Sequence, residues 1–317
     1  MNLFERYKNF QYVSKTNILI IFTYDNNSNN MKEKRLWLFY ALITTTFWGV
    51  WGAFMEIPEK AGFPATLGYV VWSLTMIPCS LFALYRIRWK LDYDRRSVLL
   101  GSAVGLLGAG GQLFLFQALR QGPAYIVFPI ISLYPVLTIF LSLVFLKERT
   151  HLRQWSGIVL ALIAMFFLSN PQVNPVTSTG IGWLILAILV FVMWALQAYM
   201  MKFSNNTMKA ESIFFYMTIT ALMLTPVSIA MTDFSSAINW GFRGPWLTAM
   251  IQILNAIGAL TLVYAIRYGK AIIVVPMTGL APVITVVLSL IVYGVVPGGI
   301  LLTGLILASV AIVLLSE

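Results

Sequence analysis

Four aromatic residues and one methionine lie within apolar stretches, at positions where they can form a binding surface. Trp48, Trp51 and Met55 follow one another at spacings of three and four residues, which place side chains near one face of a helix. With Tyr134 and Trp194 from later stretches, they are predicted to form a wall for an apolar, aromatic or cationic small molecule. The alternative is an aromatic belt at a membrane interface.

Uncharged amides interrupt the same apolar stretches, where an unsatisfied polar group is costly. Gln112 and Asn255 are predicted to hydrogen-bond a substrate, and the alternative is interhelical hydrogen bonding worth about 0.6 to 2 kcal/mol. Interhelical bonding is the favoured interpretation for three others, namely Gln117, Gln197 and Gln252.

Two pairs of prolines lie inside apolar stretches, where each removes an intrahelical hydrogen bond and favours a kink. The pairs are Pro129 with Pro135 and Pro276 with Pro282. Their equal spacing predicts hinges or gates that expose carbonyl oxygens to a cavity. The alternative is that they only shape helix packing, since membrane helices tolerate proline.

Charged residues avoid the middle of the apolar stretches. Glu56, with Glu59 and Lys60, falls at the end of the first stretch, so Glu56 is the candidate for coupling to protons from the rim. The alternative, which we favour, is an exchanger or facilitator without a titrating acid at mid-depth. Arg120 and Arg267 each stand two residues before a glycine, where helix capping explains them and substrate gating is the sharper interpretation.

The sequence contains no pattern typical of a catalytic or metal site. Cys79 is the single cysteine, and neither C-x-x-C nor H-E-x-x-H occurs. Glu148 and His151 lie in the turn KERTHLR, where an ion pair between Glu148 and a neighbouring arginine is the ordinary explanation. We therefore expect no enzyme, no catalytic residue, no cofactor and no metal.

These residues are carried by a strongly apolar chain. Hydrophobic residues make up 59% of the sequence and charged residues 10%, against about 25% charged in soluble domains. A membrane helix needs roughly 20 apolar residues. The sequence contains ten apolar stretches of about this length, which predicts an all-α polytopic membrane protein with ten transmembrane helices. The predicted stretches are 36–55, 66–85, 97–119, 124–146, 152–169, 180–201, 211–231, 244–266, 271–293 and 298–315.

The segment 111–142 returns as 258–289 at one constant offset, with identity at nearly half of the positions. Helices 3 and 4 thus correspond to helices 8 and 9, and the repeating unit contains five spans. An odd number of spans inverts the second copy, so the fold is predicted to consist of two inverted five-helix repeats. Trp48 corresponds to Trp194 at an offset of 146 residues, one fewer than for segment 111–142, and the alternative for this single match is chance.

Lysine and arginine cluster in alternate connections, which predicts a cytoplasmic location for both termini. The residues assigned to the cytoplasmic side are Lys32, Lys34, Arg35, Arg86, Arg88, Lys90, Arg95, Arg96, Lys147, Arg149, Arg153, Lys202, Lys209, Arg267 and Lys270. Lys60, Arg120 and Arg243 fall on the other side. Because the basic residues are short clusters between spans, they record orientation, and nucleic-acid binding is excluded.

The predicted organisation has four parts. Residues 1–30 contain an apolar run at 18–22, too short for a span, and then the polar, disorder-prone run DNNSNN at 25–30, so we expect a non-functional extension or a misassigned start. Residues 31–169 form the first repeat and 180–317 the second. The segment 170–179, which is rich in Pro, Thr and Ser, is the linker between them.

Three features of the sequence carry a family resemblance, namely the five-span repeat, the short connection between helices 3 and 4, and the run from Pro135 through Glu148 and Gln154 to Gly157. In these features the sequence resembles the drug/metabolite transporter superfamily, specifically the EamA-type transporters. The resemblance covers about residues 34–315. It implies a central cavity among helices 1, 3, 4, 6, 8 and 9, with helices 5 and 10 at the periphery. One departure is that Glu148 has Val295 as its repeat mate, whereas Gly157 keeps Gly304.

We therefore expect a secondary transporter that moves a small metabolite, amino-acid-like, aromatic or cationic, by alternating access. The resemblance implies export across the bacterial inner membrane. The expected partners are the substrate and the lipid bilayer, with a homodimer as a further expectation. A lipid scramblase, a non-catalytic membrane subunit and an intramembrane enzyme are the alternatives, and the last lacks a catalytic constellation in the spans.

Overall fold

The computed structural model describes residues 36–121, 127, 130–168, 181–293 and 298–316, and all regular secondary structure in these ranges is helical. The predicted extension 1–30, the predicted linker 170–179 and Pro129 lie outside the described residues. The segments are α1 Leu36–Lys60, α2 Ala65–Arg86, α3 Arg95–Gln121, α4 Ile130–Val144, α5 Leu152–Leu168, α6 Gly182–Asn205, α7 Ala210–Ala230, α8 Phe242–Tyr268, α9 in two parts, Ala271–Thr278 and Ala281–Tyr293, and α10 Gly299–Ser316.

These segments coincide with the ten predicted stretches. In the part of the chain that the structure describes, eight helices are long and apolar enough to cross a membrane by length and composition. The other two, α4 and α5, are shorter apolar helices. The protein is therefore a multi-pass membrane protein, and the number of spans is confirmed only to this extent.

The connections meet at two ends of the bundle, and hydrogen bonds tie them together. At the first end, Lys209 before α7 donates from its amide and its ammonium group to the Asp92 carboxylate in the α2–α3 connection, at 2.8 and 3.1 Å. The α4–α5 and α8–α9 connections join there, where Lys270 donates to the Arg149 carbonyl. We call this the basic end, because the described lysines and arginines other than Lys60, Arg120 and Arg243 lie at or beside it.

Asp92 is the central acceptor of the α2–α3 connection. Burial raises the pKa of its carboxyl, but hydrogen bonds from Lys209 and Ser212 outweigh this effect and hold the pKa below its usual range. The Asp92 carbonyl also accepts a 2.7 Å hydrogen bond from the Tyr216 hydroxyl. A charged Asp92 thus fixes the entry into α7.

The opposite end has an equivalent connection. Asn239, between α7 and α8, donates from its side chain to the Ala61 carbonyl at 2.9 Å and from its backbone to the Gly62 carbonyl at 3.0 Å. Arg120 at the end of α3 donates to the Met231 carbonyl after α7. In the repeat register Asn239 corresponds to Asp92, so each end is closed by a contact between the two halves.

The interface between α5 and α10 is built on repeat-related glycines. A Cβ at Gly157 would lie 3.0 Å from the Leu314 Cβ, and a Cβ at Gly304 would lie 3.0 Å from the Phe167 Cβ. Phe167 and Leu314 are themselves repeat mates, so both halves make the same contact. The lack of a side chain lets the two helices approach closely.

Candidate functional site

The indole rings of Trp48 and Trp194 anchor α1 and α6 to helices of the other half. Trp48 donates from Nε1 to the Asn255 carbonyl in α8 at 3.3 Å, and Trp194 donates to the Gly108 carbonyl in α3 at 3.4 Å. Gly108 and Asn255 are repeat mates. The same hydrogen bond is therefore made twice, once from each half.

Each indole packs against a glycine, and the two glycines are repeat mates. A larger residue in place of either glycine would displace the indole ring. A Cβ at Gly258 would lie 2.4 Å from Trp48 Cδ1, and a Cβ at Gly111 would lie 2.6 Å from Trp194 Nε1. Both distances are too short for a real Cβ. The glycines thus fix how deeply the two rings are seated, which the sequence repeat alone did not reveal.

Threonines near the kinked parts of α4 and α9 make a third pair of contacts. Thr138 donates to the Ala195 carbonyl in α6 at 3.2 Å, and Thr285 donates to the Gly49 carbonyl in α1 at 2.8 Å. Each hydroxyl gives a backbone carbonyl a hydrogen bond that the lipid of a membrane interior cannot provide. Together these contacts place α1, α3, α4, α6, α8 and α9 around one space.

That space is a central cavity of about 430 Å³. All six residues predicted to bind substrate line it: Trp48, Trp51, Gln112, Tyr134, Trp194 and Asn255. The rings of Tyr134 and Trp194 contact each other edge to face, with centroids 6.1 Å apart. No Lys, Arg, His, Asp or Glu occurs among the described residues that line the cavity.

Further aromatic and amide side chains line the same cavity. Gln197, for which interhelical bonding was the favoured interpretation, faces it, as do Trp72 and Phe116. A signal for Gln197 exists in the sequence, because its repeat mate is Trp51. Trp72 in α2 carries no such signal.

A second, smaller space of about 40 Å³ continues from the cavity toward the α1–α2 turn, and we call it the vestibule. Trp51, Gln112 and Asn255 line both spaces, whereas Glu59 lines the vestibule but not the cavity. Trp51 donates from Nε1 to Gln252 Oε1 at 3.0 Å on the vestibule side. The vestibule therefore connects the aromatic cavity with a carboxylate at the end opposite the basic end.

Glu56, the candidate for coupling, lies elsewhere. Its carboxylate is 2.6 Å from the Lys60 ammonium group, its side chain is 61% exposed, and it lines neither the cavity nor the vestibule. Glu59 shares the face of Trp51 and Met55 at four-residue spacing, which is the signal that could have selected it. The coupling role of Glu56 stays a prediction.

The described prolines of the predicted hinges lie at interruptions of their helices. Pro135 is buried in the first turn of the regular part of α4, directly after a break at Leu133. Pro276 and Pro282 flank the break between the two parts of α9, and Pro282 lines the cavity. The breaks coincide with the prolines, and their movement stays a prediction.

Within the described residues, no cluster of three or more His, Cys, Asp and Glu side chains that could hold a metal ion is present. His151 is exposed. The Glu148 carboxylate accepts two backbone hydrogen bonds from the start of α9. The lining of the central cavity, which combines aromatic faces with amides, is suited to enclosing an uncharged or weakly hydrated molecule by apolar contact and amide hydrogen bonds.

Comparison with known proteins gives a consistent result. The profile of the EamA-like transporter family matches residues 35–170 and again residues 181–317. An uncharacterised protein of Methanocaldococcus jannaschii is 31% identical over 128 residues, which are 40% of this chain and 92% of that protein. CMP-sialic acid transporter 2 of Oryza sativa is 24% identical over 243 residues, 70% of this chain and 67% of that protein. A crystal structure shares the fold at a TM-score of 0.70 and 18% identity, over 87% of this chain and 97% of that one.

Proposed function

Since the chain belongs to the EamA-like transporter family, we propose that it is a secondary transporter with the central cavity as its substrate site. Two halves related by the repeat meet around this cavity and make equivalent contacts at Trp48 and Trp194. Such an arrangement supports alternating access, in which the halves open the site to one side at a time.

The chemistry of the cavity carries the proposal for the substrate. We infer a small molecule with an aromatic or apolar body that is neutral or cationic. The walls supply aromatic faces, which attract apolar rings and cations. Gln112, Gln197 and Asn255 supply hydrogen bonds, and no described lining residue of the cavity carries a charge.

The substrate named for the rice relative does not suit this cavity. CMP-sialic acid carries a phosphate and a carboxylate, and such anions are normally bound by arginine, lysine or helix N-termini. The described residues of the cavity include no arginine or lysine, and the vestibule adds the carboxylate of Glu59. The start of the second part of α9 lines the cavity at Ala281 and Pro282, but no lysine or arginine among the described lining residues accompanies it, so the lining is better suited to a neutral or cationic molecule than to this anion.

We further propose that all ten helices span the membrane as two inverted five-helix repeats. The hydrogen-bonded connections alternate between two ends, and basic residues are concentrated at one of them, which supports a cytoplasmic basic end and cytoplasmic termini. Export across the inner membrane is proposed from the family resemblance.

Flux into proteoliposomes tests the substrate class with three molecules that share one ring system. Tryptamine is cationic at neutral pH, tryptophol is neutral and indole-3-acetate is anionic. We expect protein-dependent flux of tryptamine and tryptophol, with little flux of indole-3-acetate. Equal flux of all three, or movement of labelled lipids between leaflets without solute flux, would contradict the proposal.

A further inference from the structure

The turn between α8 and α9 is held from one side by a lysine of α6. Lys202 donates from Nζ to the Ile266 carbonyl at 3.0 Å and to the Gly269 carbonyl. These carbonyls belong to the C-terminal end of α8, where the helix dipole favours a cation. The lysine therefore binds where the helix end presents unpaired acceptors.

A glutamate binds the other arm of the same turn. The Glu148 carboxylate, after α4, accepts hydrogen bonds from the amides of Ala271 and Ile272 at 3.1 and 3.0 Å. These amides open α9, where the helix dipole favours an anion. Glu148 is only 9% exposed, so separation from α9 would leave a largely buried charge without these donors.

Lys202 and Glu148, which we call the clamp, lie directly beyond one end of the cavity. Met201, next to Lys202, lines the cavity and is 0% exposed. Val275 and Thr278 from the first part of α9 also line it and are each 1% exposed. The cavity is thus closed at the basic end, whereas Trp51 and Met55 toward the vestibule are only half-buried.

The repeat does not supply the clamp residues at the other end. In the register that aligns Trp48 with Trp194, which is one residue shorter, Glu56 takes the position of Lys202, and in the main register Val295 takes that of Glu148. A carboxylate cannot donate hydrogen bonds to helix carbonyls and is repelled by a helix C-terminus, and valine has no polar group. The repeat thus keeps the helices and prolines but changes the two charged positions that would act on the α3–α4 turn.

We propose that Glu148 and Lys202 are gate residues that keep the basic end closed, so that the resting protein opens its cavity through the vestibule. Opening toward the basic end requires α8 and α9 to leave both partners, and this cost biases the equilibrium between the two forms. Because the inference rests on the proposed carrier function, its test measures the accessibility of the cavity rather than transport.

A single cysteine provides the readout. Cys79→Ser removes the native thiol, and Thr278→Cys places a thiol of similar size in the wall of the cavity near the clamp. A membrane-impermeant thiol reagent is applied to right-side-out and inside-out vesicles. Protease cleavage in the α2–α3 connection identifies the face that carries the basic end.

Glu148→Ala and Lys202→Met are each expected to raise the labelling rate from the basic end by about tenfold, with no rise from the opposite face. Glu56→Gln, at the repeat position of Lys202, is the matched control and should change neither rate. Glu148→Gln keeps one acceptor and the packing of the side chain, so it should give a smaller rise with the same sidedness.

Unchanged rates in all clamp variants would overturn the inference. An equal rise from both faces would also overturn it, because it would indicate general loosening. The two proposals can fail separately. One-sided labelling without solute flux would support the clamp and contradict the carrier function. Solute flux with unchanged labelling would support the carrier function and contradict the clamp.

Discussion

Glu56 and Glu59 are three residues apart, yet their surroundings differ. Glu56 is paired with Lys60 on the surface, whereas Glu59 lines the vestibule that leads to Trp51 and the cavity. A carboxylate at the entrance of an aromatic site attracts cations and repels anions. We therefore expect Glu59 to select substrates by their charge, whereas the ring is recognised by the aromatic walls of the cavity.

Glu59→Gln is expected to lower tryptamine uptake about two- to fivefold, the size of an exposed charge interaction, and to leave tryptophol uptake unchanged. The loss should shrink at high salt because the charge is screened. Asp233→Asn is the control, because Asp233 is an exposed carboxylate at the same end that lines neither space, and it should alter neither uptake. An equal loss with Asp233→Asn, or an equal loss of tryptophol uptake in Glu59→Gln, would show that the vestibule carboxylate does not select charge.

At the scale of helices, the sequence was a good guide to which segments form and which faces meet. The ten apolar stretches coincide with helices, and the six proposed binding residues from five helices reach one cavity. The family resemblance implied this arrangement, because it placed helices 1, 3, 4, 6, 8 and 9 around a central cavity. The clamp was not predicted, since Lys202 and Glu148 bind backbone groups of a distant turn, and such contacts leave no spacing pattern.

The α5–α10 crossing offers a prediction about packing outside the site. Gly157→Val and Gly304→Val are each expected to lower the free energy of unfolding by about 1–3 kcal/mol, because the added side chain meets the facing helix. Their effects should be similar, since the two contacts are repeat-related. Thermal unfolding in detergent measures this.

The control for that crossing is Gly299→Ala at the start of α10, where an added Cβ has no neighbour within 4 Å. It should leave the unfolding temperature nearly unchanged. A loss in Gly299→Ala as large as in the two valine variants, or no loss in either valine variant, would show that close approach at the glycines is not what holds the crossing.

At the scale of the whole molecule, duplication explains both the symmetry and its exceptions. Trp48 with Trp194 and Thr138 with Thr285 make equivalent contacts, which give the two halves a common structure. Differences at the site and its gate include Gln112, whose mate is Ala259, and Glu148, whose mate is Val295. The repeat could be found in the sequence, whereas the consequences of its differences became visible only once the neighbours of each residue were known.

Counterflow in proteoliposomes tests alternating access most directly. Vesicles loaded with unlabelled tryptamine are diluted into a trace of labelled tryptamine. A carrier with one alternately exposed site exchanges the two, so the label should accumulate transiently above its equilibrium level and then decline. Simple equilibration without an overshoot, at the rate of protein-free vesicles or through a continuously open path, would contradict the account.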